Sequence, residues 1–107
     1  MKFSAQEFLK RNTVAQQVKK FVDLLKKRNS PNLLSDLNAV LENKITADMP
    51  VEIRMLSQLM HNTDKFIGDD CNVLLKATII TDIQTALINV ITELENLNKL
   101  VSCMQKG

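Results

Sequence analysis

The chain has 107 residues, 45% of them hydrophobic and 24% charged, with a net charge of only +2. Two Gly and two Pro leave too little turn chemistry for a β-rich fold. Four Phe without Trp or Tyr supply no aromatic platform on which nucleic-acid bases could stack. The size is that of one small domain spanning 1–107, with enough apolar content for a real core.

The first element is announced by Ser4 and Glu7, which have the spacing of a capping box, with Phe3 and Phe8 placed as its hydrophobic staple. An apolar stripe follows through Phe8, Ala15, Val18, Val22 and Leu25, widened by Val14 and Phe21. The helix is expected to end near Arg28, where Asn29-Ser30-Pro31-Asn32 interrupts it. A break near Asn12 is an alternative, because Thr13 and Gln16 can cap a fresh start. Ser30 as N-cap and Pro31 in the first turn then predict a second helix carrying Leu33, Leu34, Leu37, Val40 and Leu41.

A third helix is expected from about Pro50, carrying Ile53, Leu56, Leu59 and Met60 on to Phe66 and Ile67. Gly68-Asp69-Asp70 supplies the next stop and N-cap. The last third predicts one helix of about 33 residues without Pro or Gly. Ile80, Ile83, Leu87, Val90, Leu94, Leu97, Val101 and Met104 repeat at alternating spacings of three and four, the a/d rhythm of packed helices. From Thr78 to Thr92 the run is rich in Ile, Val and Thr, poor helix formers, so this helix should depend on burial. Apolar residues also leave the seam at Leu74, Ile79, Ala86, Ile88 and Ile91, a width that suits two or more partner helices.

At 1.5 Å per residue the last helix would be roughly 50 Å long, against a diameter of about 33–35 Å for a compact chain of this size. The expected architecture is therefore an all-α, four-helix bundle-like domain with one helix that overshoots it. The expected function is non-enzymatic. The chain would self-associate as a homodimer or higher oligomer, with coiled-coil character, and bind another helical protein as an adaptor, chaperone or inhibitor. Ile83, Leu87, Val90, Leu94, Leu97 and Val101 are the candidate interface.

Residues 1–30 hold eight Lys/Arg against Glu7 and Asp23, a net of +6, and the remainder carries −4. Lys19, Lys20, Lys26 and Lys27 form a basic flank that could meet nucleic acid, although the alternative is a solvated face with Lys26, Lys27 and Arg28 at the negative end of the helix dipole. Nucleic acid is not the expected partner. Cys71 and Cys103 lie about 48 Å apart on a continuous helix, too far for a disulfide, and His61 has no ligand-spaced neighbour. Reduced thiols, no metal and no cofactor are expected. Met49, Met55, Met60 and Met104 either fill the core or line an adaptable groove. Neither a signal peptide nor an apolar run of membrane length is read, so the expectation is a cytoplasmic protein without a membrane partner.

Two patterns resemble known families. Arg54 and His61, seven residues apart, are similar to the Arg-(four to six residues)-His motif of HEPN-type ribonucleases. That resemblance implies a helical, dimerising enzyme in which Arg54 stabilises phosphate charge and His61 moves a proton. The turn at Gly68-Asp69-Asp70, then Leu74-Leu75 and a helix ending in Leu97-Asn98-Lys99-Leu100-Val101, resembles rod and needle subunits of type III secretion systems. It implies polymerisation through the C-terminal helix.

Overall fold

Ser4 and Glu7 close the capping box reciprocally: the Ser4 N–H donates to Glu7 Oε1 at 2.9 Å and the Glu7 N–H to Ser4 Oγ at 3.2 Å. From this cap α1 runs unbroken over Ala5–Arg28. No break occurs near Asn12, and the Thr13 hydroxyl donates back to the Leu9 carbonyl instead of capping a new helix. The computed structural model describes residues 4–28, 30–68 and 72–106, with side chains as far as Met104. Phe3, Asn29, Asp69, Asp70 and Cys71, which the sequence placed in a staple, a break, a cap and a thiol, lie outside the described residues.

The other elements are α2 (Leu33–Glu42), α3 (Val51–His61), the single turn α4 (Asp64–Ile67) and α5 (Val73–Lys106), with no strand among the described residues. The all-α, bundle-like architecture with a long C-terminal helix is therefore present. Two boundaries differ from the sequence reading. The second helix starts at Leu33, because Ser30 organises a turn: its hydroxyl accepts from the Asn32 N–H and its carbonyl from the Leu33 N–H. Asn43 ends α2 in the left-handed region (φ 57), its N–H bonded to the Val40 carbonyl.

The second difference is larger. The helix expected through Ile67 stops at His61, and α4 is a separate turn. Thr63 is buried and its hydroxyl donates to the Leu59 and Met60 carbonyls, which fastens the chain as it turns. Asn72 then caps α5, accepting the Leu74 N–H on Oδ1 at 2.8 Å.

Ion pairs reveal the helix directions. Arg11 meets Asp82 and Lys26 meets Glu93, so α1 and α5 run the same way. Arg28 at the end of α1 meets Glu52 at the start of α3, while Lys10 near the start of α1 donates to the Ile67 carbonyl. So α3 runs opposite to both. The core gathers Val14, Val18, Val22 and Leu25 from α1, Leu37 and Val40 from α2, and Ile53, Leu56 and Leu59 from α3. Phe8 and Ala15, expected in the α1 stripe, are exposed. The α5 contribution is Leu75, Ile79, Ile83, Leu87 and Ile91, every fourth residue, flanked by Ala86, Val90 and Leu94. This stripe serves α1, α2 and α3 together, which explains its width and how a β-branched run is held helical.

Candidate interaction surface on the last helix

The body of the protein ends where α1 ends. Because Lys26 lies beside Glu93, the turn after Arg28 is level with about residue 95 of α5. Side chains from Glu95 to Met104 are exposed without exception. The protein measures 55 × 31 × 21 Å, its long axis close to the roughly 51 Å of a 34-residue helix. The overshoot read from the sequence is thus a projecting arm of about a dozen residues, or ~18 Å.

The arm is not polar all round. Leu97 is 50% exposed, Leu100 61%, Val101 52% and Met104 79%. Their spacing places them on one face, in continuation of the half-buried Val90 and Leu94. Glu95 and Lys99 fall off that face. At the root of the arm a notch of about 300 Å³ is lined by Ser30, Pro31, Leu33, Leu34, Leu94 and Asn98. It is formed where the first turn of α2 meets α5.

The six residues proposed as an interface divide into three groups. Ile83 and Leu87 are 1% and 0% exposed and belong to the internal core, so they face this chain's own helices. Val90 and Leu94 are half-buried beside that core. Leu97 and Val101 project on the arm. The seam rhythm merged a core stripe with an exposed stripe because periodicity carries no information on where the neighbouring helices stop. Leu100, at the edge of the seam, was missed; its four-residue spacing from Met104 was the available signal.

Elsewhere the structure disperses the candidates. Much of the basic excess of α1 is spent inside the molecule: Lys10, Arg11, Lys26 and Arg28 meet the Ile67 carbonyl, Asp82, Glu93 and Glu52. Lys19, Lys20 and Lys27 remain on a shallow outer face with Asp23 and Leu24. Arg54 Nε donates to the Met49 carbonyl at 3.2 Å, and His61 Nε2 lies 2.8 Å from the Val40 carbonyl. These two exposed side chains thus engage backbone near opposite ends of α3, roughly 10 Å apart along its axis. Met60 is in the core, Met49 packs against it and Met104 is on the arm, so the methionines share no single groove. Cys103 is free and exposed. Among the described residues no three His, Cys, Asp or Glu side chains come together as metal ligands.

A second exposed apolar group, Phe8, Leu9 and Phe66, sits at the opposite end. Between α1 and α5, beneath Arg11 and Asp82, lies a cavity of about 70 Å³ lined by Val14, Ala15, Val18, Ile79 and Ala86, room for two or three waters. Within Val73–Met104 an 18-residue stretch reaches the length and apolarity of a membrane-crossing helix, unlike the sequence expectation. Leu75, Ile79, Ile83 and Leu87 supply much of that apolarity and are buried in the protein's own core. Comparison with family models, curated proteins and solved structures finds no match.

Proposed function

We infer that the protein is a non-enzymatic, cytoplasmic interaction module that self-associates, and engages another helical protein, through the arm of α5. One observation carries this reading: four large apolar side chains, Leu97, Leu100, Val101 and Met104, are half or more exposed along one face of a helix that has left its core. An isolated helical segment of this length is marginal in water, so its order calls for a partner. Contiguous apolar surface of this kind marks protein contact sites. The test is a chain truncated after Glu95. Sedimentation should show the full chain associating and the truncated chain monomeric, with the same thermal midpoint at low concentration. A truncated chain that still associates would contradict the reading.

A further inference from the structure

We propose that the partner of the arm is a second copy of this chain, running antiparallel, so that each arm tip seats in the other copy's notch. The proposal rests on the self-association inferred above and specifies its geometry.

Leu94, Leu97, Val101 and Met104 are spaced three, four and three residues apart, a pattern that reads the same in both directions about Lys99. An antiparallel copy therefore sets Leu94 against Met104 of its partner and Leu97 against Val101. Leu100 lies beside the two-fold axis. Glu95 and Lys99 fall at outward positions, so the seam contains no charged side chain. Leu94 belongs both to the seam and to the notch, which makes the two surfaces continuous.

Charge complementarity selects the antiparallel direction. The end of α5 carries the negative pole of a 34-residue helix. The notch is lined by Leu33 and Leu34 of the opening turn of the 10-residue α2, the positive pole of that helix. Antiparallel arms bring opposite poles together. Parallel arms would align two negative ends and leave both notches empty.

The size of the contact sets its strength. Four half-exposed side chains offer on the order of 350 Å² per copy, at roughly 30 Å² per methylene-sized group. A stable interface buries about 800 Å² per partner, so the dimer is weak and forms only at high concentration.

Two measurements test the geometry. In a background of Cys71→Ser and Cys103→Ser, a Leu94→Cys chain is mixed with a Met104→Cys chain under mild oxidation. The mixed disulfide should exceed either self-disulfide by about tenfold, because like positions lie ~15 Å apart along an antiparallel pair. Small-angle scattering of the unmutated chain should show a maximum dimension rising from about 55 Å to roughly 90 Å with concentration, twice the long axis less the overlap. Self-disulfides of Met104→Cys alone would overturn the antiparallel arrangement while self-association stands. A dimension fixed near 55 Å with no disulfide of any kind would overturn both.

Discussion

Arg11 forks onto Asp82, its Nε donating to Oδ2 at 2.7 Å and its Nη2 to Oδ1 at 3.1 Å. The pair joins the first and last helices across 71 residues of sequence and fixes their parallel register. Both side chains are about one-third exposed, so solvent screens the attraction. Asp82→Asn should cost about 0.5–1 kcal/mol, with the loss shrinking at high salt. Urea melts at two salt concentrations measure this, and a salt-independent loss would show that the fork acts by packing.

Arg28 and Glu52 form the opposite case. Glu52 is 7% exposed, and Arg28 Nη1 lies 2.5 Å from its Oε1 in an ion pair. Apart from that ion pair, this oxygen has no hydrogen-bond partner among the described residues. Arg28→Ala would strand a buried charge and should destabilise by about 1–3 kcal/mol. Adding Glu52→Gln should recover part of that loss, because a neutral amide tolerates burial better. Chemical denaturation of the single and double variants tests this, and a double variant weaker than Arg28→Ala would refute it.

Acid stability should carry opposing contributions from α2 and the segment after it. The Asp36 carboxyl is raised above its ordinary 3.8 by burial first and by the charge of Asp48 second. Asp48 is lowered, chiefly by the hydrogen bond from Thr46, which outweighs any reciprocal repulsion. A raised carboxyl favours the fold most below its unfolded value and loses that contribution as pH rises through its folded value. Asp36→Asn should therefore stabilise at pH 7, by no more than about 0.5 kcal/mol, and the gain should vanish near pH 3. Asp48 acts the other way, supporting the fold above about pH 4 and losing that support as pH falls through its lowered value. Thr46→Ala should weaken the protein at pH 7 and leave it unchanged in acid. Thermal melts at the two pH values decide both.

Much of this fold was legible in the sequence, for local reasons. Ser4 with Glu7, and the absence of Pro or Gly from Cys71 to Lys106, are instructions readable without knowledge of tertiary structure. The helix break at Asn62 was not, because it depends on Thr63 finding two carbonyls and a buried site. Nor could periodicity separate Leu87 from Leu97, two Leu on one helix, one fully buried and the other half-exposed. The difference is that α1 stops at Arg28 and the chain turns back into α2. Arg54 and His61 share a helix as their spacing implied, but the carbonyls that hold them, Met49 and Val40, come from different segments.

The contrast between those two Leu residues is itself a prediction. Leu87→Ala should cost about 2–5 kcal/mol through an internal cavity. Leu97→Ala should change stability by no more than about 0.5 kcal/mol in dilute solution, yet weaken association. Denaturation at low concentration, paired with light scattering at high concentration, separates the two roles.

Sedimentation equilibrium of the unmutated chain and of Val101→Asp, followed to high micromolar concentration, tests self-association through the arm most directly. Val101 is exposed, so the aspartate should leave the monomer folded. The unmutated chain should approach twice its 12.1 kDa mass while Val101→Asp stays at 12.1 kDa with an unchanged circular dichroism spectrum. A monomeric unmutated chain over that range, or a variant that associates equally well, would contradict the account.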